Sequence, residues 1–178
     1  ICDKAKIFVP LAAVELGREQ ARATEADCLV SFGGGTAVGL AKAIALEQGQ
    51  PIISIVTTYS GSETTALQGI IGHDGVRTNY RDMRMLPRLL IYDPELTLDV
   101  PLGVSVASGF NSISHAVSSY LGKDANPVAN MYSEHGIRTM SAALVQLAKN
   151  PRDIDARSNA MHGAWLCGMT LMSSGTTI

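Results

Sequence analysis

Cysteine is scarce and odd in number: Cys2, Cys28 and Cys167 are the only three in 178 residues. No Cys-x-x-Cys pair occurs, which excludes a zinc ribbon, and the wide spacing excludes a disulfide framework. Buried free thiols in a reducing cytoplasm are the expectation. Charge is sparse too, at 17% of residues, with 14 Lys and Arg against 16 Asp and Glu. A net charge of −2 argues against a nucleic-acid partner. Long apolar runs are missing. The longest apolar-rich stretch, 163–172, is shorter than the roughly 20 residues a membrane span needs, so no membrane association is expected. Asp3, Lys4 and Lys6 break up the start, and no signal peptide is expected. What is plentiful is apolar content, 46%, enough for a packed core and too much for a disordered chain.

The first half alternates strand and helix signals. Lys6–Val9 reads as a short extended run closed by Pro10, and 11–24 as a helix. Residues 28–32 form a short apolar strand broken by Gly33-Gly34-Gly35. Ala37, Leu40, Ala41, Ile44 and Ala45 then recur at helical spacing up to Gly49-Gln50-Pro51. Residues 52–56 are β-branched and read as a buried parallel strand. Gly72-His73-Asp74-Gly75 marks a hairpin turn between Ile71 and Val76. Residues 89–92 form another short buried strand.

After Pro101 the periods are helical throughout. One stripe is Phe110, Ile113, Val117, Tyr120 and Leu121. A second is Ile137, Met140, Leu144, Leu147 and Ala148, and a third runs from Met161 to Met172. Asn126-Pro127 and Asn150-Pro151 separate them, with Pro placed where a helix begins. The fold class expected is α/β: an N-terminal Rossmann-like parallel-sheet domain over 1–100, then an all-helical domain over 101–178. The chain begins at Ile1 without Met. It ends in Ser-Ser-Gly-Thr-Thr-Ile directly after an apolar helical pattern, so a partial chain is expected.

Three stretches can carry chemistry. In Gly33-Gly34-Gly35-Thr36 the backbone can approach a phosphate, and the following helix points free N–H groups at it. Thr36 can add a hydroxyl or cap that helix. The stretch is neither a P-loop nor G-x-G-x-x-G, since the next glycine is Gly39. Next, Thr57, Thr58, Ser60 and Ser62 make a hydroxyl-rich loop directly after the next strand. Ligands of open α/β sheets bind at that strand end. Third, Asn111 and His115 lie four apart and share a helix face, which can offer a proton donor or a metal ligand. His73 is expected in solvent. His135 and His162 lie on helices without an acidic partner at ligand spacing.

These stretches, in this order and spacing, resemble the iron-containing alcohol dehydrogenase family, whose fold is dehydroquinate synthase-like. The likeness rests on 33–46 (GGGTAVGLAKAIAL), 57–63 (TTYSGSE), 90–99 (LIYDPELTLD), 109–117 (GFNSISHAV), 124–128 (DANPV) and 163–168 (GAWLCG). Within the family the chain is most similar to the maleylacetate reductase branch. That resemblance implies NADH or NADPH as cofactor and a small dicarboxylate, maleylacetate, as substrate. Its C=C bond would be reduced to give 3-oxoadipate, late in aromatic and chloroaromatic breakdown; 2-chloromaleylacetate is a further candidate. It implies cofactor contacts at Gly34, Gly35, Thr36, Gly39, Thr57, Thr58, Ser62 and Arg77, and catalytic roles for His115 and Asn111. The substrate is expected between the two domains, with His115 facing it. A homodimer is a candidate assembly.

The departures bear on metal. The alcohol dehydrogenases carry Asp where this chain has Gly39 and, as a metal ligand, where it has Asn111. Val56 stands where the family usually has Pro. His115 matches the first metal-ligand His, and the further ones are expected beyond Ile178. A metal is therefore not expected, since neutral Asn111 is a poor partner for a hard cation. Two alternatives stand beside the reductase: a metal-dependent alcohol dehydrogenase of the same fold, and a nucleotide-binding fragment without catalysis.

Overall fold

In the computed structural model, which describes residues 1–174, the chain divides into two units. The first comprises Ile1–Val56 and Ala66–Ile91; the second comprises Thr57–Thr65 and the chain from Tyr92 on. The expected division at 1–100 and 101–178 thus shifts to residue 91. The hydroxyl-rich loop, expected with the first part, groups with the helices instead. The terminal 175–178 lie outside the described residues.

The first unit contains α1 (Leu11–Ala23), β1 (Leu29–Gly33), α2 (Gly35–Gln48), β2 (Ile52–Val56), β3 (Leu67–Ile71), β4 (Arg77–Arg81) and β5 (Leu89–Tyr92). The sheet order is β1-β2-β5. Strands β1 and β2 run parallel, with Leu29 opposite Ile52 and Gly33 opposite Val56. The crossover α2 is buried continuously from Val38 to Ala45. A helix apolar on all sides requires partners on all sides. Leu40, Ala43 and Ile44 pack with Val14, Ala21 and Ile70, while Ala41 and Ala45 pack on Ile52. Each large apolar side chain buried this way contributes about 1.5–3 kcal/mol. Lys42 is fully buried in the same run, its Nζ donating to the Leu67 carbonyl at 3.1 Å. Between the paired strands, Ser31 Oγ donates to Ser54 Oγ at 2.8 Å, so neither buried hydroxyl is unsatisfied.

The expected hairpin is present: β3 and β4 are antiparallel, with Ile71 opposite Arg77. Gly75 adopts φ +80°, and Asp74 Oδ1 accepts the Val76 N–H at 3.0 Å. Three expectations in this unit are corrected. Lys6–Val9 is a turn, closed by the Val9 N–H to the Lys6 carbonyl at 3.0 Å, with positive φ at Phe8 and Val9. That turn delivers the Val9 side chain into the core against α2. The sheet is not buried on both faces. Ile52, Ser54 and Val56 are buried, but Val30 and Phe32 are each 62% exposed and Leu89 is 51% exposed. Within this unit α2 covers one face only. Cys2 and Cys28 are half-buried; only Cys167, in the other unit, is buried.

The second unit is built on α3 (Leu102–Tyr120), α4 (Pro127–Lys149) and α5 (Ile154–Ser174). As expected, α4 starts at Pro127, with Asn126 Oδ1 accepting the Ala129 N–H at 3.0 Å. Pro151 does not open α5. It sits in a turn, and Asp153 caps the helix instead, its carboxylate accepting the Ala156 N–H at 3.0 Å. Met140, Leu144, Leu147, Ala160, Met161 and Ala164 form the core with Tyr59.

The α3 stripe is also corrected. Phe110 is 61% and Leu121 77% exposed, while Ser105, Gly109, Ser112, Ala116 and Ser119 are buried. Small residues let α3 sit close on its neighbour: a Cβ at Gly109 would meet Met140 Sδ at 2.9 Å. The Ser112 hydroxyl is satisfied within its own helix, at the Gly109 carbonyl, 2.9 Å away. Among the described residues no helix is long and apolar enough to cross a membrane.

Candidate active site

The parallel strand β1 ends at Gly33, whose φ of +141° is a conformation that side-chain-bearing residues rarely adopt. Gly34 follows as the extended N-cap of α2, and no side chain caps the helix. Thr36, expected as a possible cap, lies within the first turn and makes no capping bond. The N–H groups of Ala37 and Val38 return to the Gly34 carbonyl at 3.0 and 3.2 Å. The amides ahead of them, at Gly35 and Thr36, are directed out of the helix end. A helix N-terminus reached through residues lacking Cβ suits a phosphate or pyrophosphate. Gly39 lies one turn further along α2. A Cβ there would meet Gln68 Oε1 at 2.8 Å and Val9 Cγ2 at 2.9 Å, so it marks a packing contact.

The loop after β2 is tightly held. Thr57 and Thr58 are half-buried, and among the described residues their side chains make no hydrogen bond. Tyr59, next along, is fully buried. Its N–H donates to Ser108 Oγ at 3.2 Å and its hydroxyl to Thr97 Oγ1 at 3.1 Å. Arg157 Nη1 donates to the Tyr59 hydroxyl at 3.1 Å and to Ser105 Oγ at 2.8 Å, and Arg157 Nε to the Pro151 carbonyl at 2.9 Å. Gly61 turns the chain at φ +70°, and Ser62, half-buried, opens a short 3-10 turn. Glu63 is buried and accepts the Tyr92 hydroxyl at 2.8 Å. Burial first, then the Glu63 charge and this hydrogen bond, push the Tyr92 phenol far above its ordinary value.

None of the Arg157 contacts is foreseen by sequence patterning, because Tyr59 lies 98 positions away. The available signal was an Arg between Ala156 and Ala160, at core positions of α5.

On α3, His115 is half-buried and Asn111 exposed, one turn apart. Burial pulls the His115 pKa below its ordinary value, favouring the neutral ring at neutral pH. Arg77 is exposed on β4, its guanidinium lying where a Cβ on Gly69 would be. His73 is exposed and pairs with Glu15 at 3.1 Å. His135 and His162, far apart in sequence, come together with ring centroids 5.8 Å apart. Among the described residues no group of three or more His, Cys, Asp or Glu converges. His115 with neutral Asn111 does not supply a ligand set for iron or zinc.

Comparison with known proteins accords with this geometry. A Burkholderia cepacia protein named maleylacetate reductase is 50% identical over 171 residues, covering 96% of this chain and 48% of the relative. The crystal structure of maleylacetate reductase from Rhizobium sp. strain MTP-10005 superposes with a TM-score of 0.92 at 43% identity, covering 97% of this chain and 49% of that one. An iron-containing alcohol dehydrogenase from Corynebacterium glutamicum gives 0.93 at 38% identity, covering 98% and 49%. The chain spans about half the length of the curated relatives it matches. The expected architecture, a parallel sheet followed by a helical part, is the fold these structures share. The pattern of the iron-containing alcohol dehydrogenases matches residues 1–94, and that of their C-terminal part residues 105–178. The chain belongs to the iron-containing alcohol dehydrogenase family.

Proposed function

We propose that this chain carries the cofactor-binding part of a maleylacetate reductase, which reduces the C=C bond of maleylacetate to give 3-oxoadipate at the expense of NADH or NADPH. The observation that carries the reading is the uncapped N-terminus of α2 behind a glycine turn, in a chain half-identical to a protein of that name. The pyrophosphate is assigned to Gly34, Gly35 and Thr36. Thr57, Thr58 and Ser62 are assigned further cofactor contacts, because their loop starts immediately after Val56, the register partner of Gly33. Arg77 is the exposed cation proposed for an anionic group.

When bound, the reduced nicotinamide supplies a hydride. This chain's side chains are assigned one further part of the chemistry, stabilising the charge that develops. Hydride addition to a double bond conjugated with a carbonyl leaves an enolate, whose oxygen donors must stabilise until a proton from water reaches the neighbouring carbon and completes the reduction. A neutral His115 offers one ring N–H for that purpose, and the Asn111 amide on the same helix face offers another. No step requires a metal.

The test is Gly35→Val in the full-length protein. A side chain there fills the space assigned to the phosphate. The NADH Kd is expected to rise by about tenfold or more, with little change in thermal stability. Unchanged NADH affinity would overturn the assignment.

A further inference from the structure

We propose that Arg157 and Tyr59 act together as positioning residues for the Thr57–Thr58 loop. The bonds form a directed chain. Arg157 Nη1 donates to the Tyr59 hydroxyl, that hydroxyl donates to Thr97 Oγ1, and Thr97 Oγ1 donates to the Pro94 carbonyl at 2.7 Å. The Tyr59 N–H is tied separately to Ser108 Oγ, whose own hydroxyl donates to the Ser105 carbonyl at 3.1 Å. Residue 59 is therefore fixed at two points, its main-chain N–H and its side-chain hydroxyl, directly beside the two threonines.

Arg157 is an expensive way to fill a core. It is fully buried, and among the described residues its hydrogen-bond partners are hydroxyl and carbonyl oxygens. Among the described residues no carboxylate lies within ion-pair distance of it. A buried guanidinium without a counter-charge gains less from its surroundings than an apolar side chain of similar size would. Helix packing alone favours Met or Leu at this position. What Arg supplies and they do not is a set of directional donors, pointing at once to the Tyr59 hydroxyl, Ser105 and the Pro151 carbonyl. The arrangement trades stability for one defined placement of the loop.

The effect on catalysis rests on the cofactor reading above; the effect on the loop does not. Tyr59→Phe keeps the buried ring and removes only the hydroxyl, so it folds even where Arg157→Met does not. Hydrogen exchange in the nucleotide-free, full-length protein reads the hydrogen-bonded amides of Tyr59, Thr64 and Thr65. In Tyr59→Phe they are expected to exchange about tenfold faster or more, while the amides of Leu144 and Leu147 in α4 stay within about twofold. Arg157→Lys, which keeps the charge without the fork, is expected to fall between wild type and Tyr59→Phe. NADH titration of the same proteins should show Kd raised about fivefold or more, with kcat at saturating cofactor within about twofold. Uniform acceleration across loop and helix, or none in the loop, overturns the proposal and reduces Arg157 to a packing residue. Faster loop exchange in a protein whose wild type binds no NADH upholds the positioning role and sinks the cofactor reading instead.

Discussion

The carbonyl oxygen of Gly61 occupies the place that a side chain at Gly168 would need. A Cβ on Gly168 would fall on that oxygen and on Thr64 Oγ1. The oxygen cannot easily move, because it accepts the Thr64 hydroxyl at 2.8 Å and the Thr64 N–H at 3.2 Å. Gly168→Ala is therefore expected to cost about 1–3 kcal/mol by overpacking. Urea unfolding measures it; a wild-type midpoint in the variant would show that the loop yields without strain.

Burial at His115 makes stability depend on pH in a stated direction. Its folded pKa lies below the unfolded one, so below about pH 6.5 the unfolded chain takes up a proton that the folded chain does not. Stability is lost as the pH falls through that window, and the effect is absent above it. His115→Gln should flatten the stability curve on the acid side. Parallel curves for wild type and variant at about pH 5.5 and 7.5 would show that His115 is not desolvated in the full-length protein.

If the His115 N–H stabilises the developing oxyanion, His115→Ala lowers kcat for maleylacetate by more than about tenfold and leaves the NADH Kd within about threefold. Steady-state kinetics and a binding titration separate the two numbers. Full activity in the variant would leave His115 a structural residue.

A neutral amide at residue 111 predicts weak metal retention. Elemental analysis of the full-length protein should find iron and zinc well below one per chain. Asn111→Asp, which adds an anionic oxygen one turn from His115, should raise the amount retained. Stoichiometric metal in the wild type would contradict the assignment.

The Asp153 cap can be tested alone. Asp153→Ala removes the acceptor for the Ala156 N–H and is expected to cost about 1 kcal/mol, read as a lower melting temperature. Asp153→Asn, which keeps an acceptor, should recover most of that loss.

The parts of the fold legible from sequence were those with local punctuation. Gly33–Gly35 and Gly49 bracket α2, Asp74-Gly75 sets the hairpin, and Asn126-Pro127 starts α4. Phe8 and Val9 gave no such signal, since neither residue type favours positive φ. The orientation of α3 was hidden for a different reason. Periodicity marks Phe110 and Leu121 as a face, but close helix approach selects the serine and glycine face for burial. The glycine turn of the candidate site was readable because its three residues are adjacent. Arg157, Thr97 and Tyr59 were not, because only the folded chain brings them within hydrogen-bond reach.

That separation also sets an order of events during synthesis. Tyr59 leaves the ribosome 98 residues before Arg157 does. At roughly 5–20 residues per second, the loop spends about 5–20 s without its principal anchor. Throughout that interval the tyrosine hydroxyl has no guanidinium to accept from, and Tyr59 and its apolar neighbours stay open to other chains. The strands before it, β1 and β2, can pair as soon as β2 itself is made. The helical unit becomes complete only late, and chaperone dependence is expected to concentrate there.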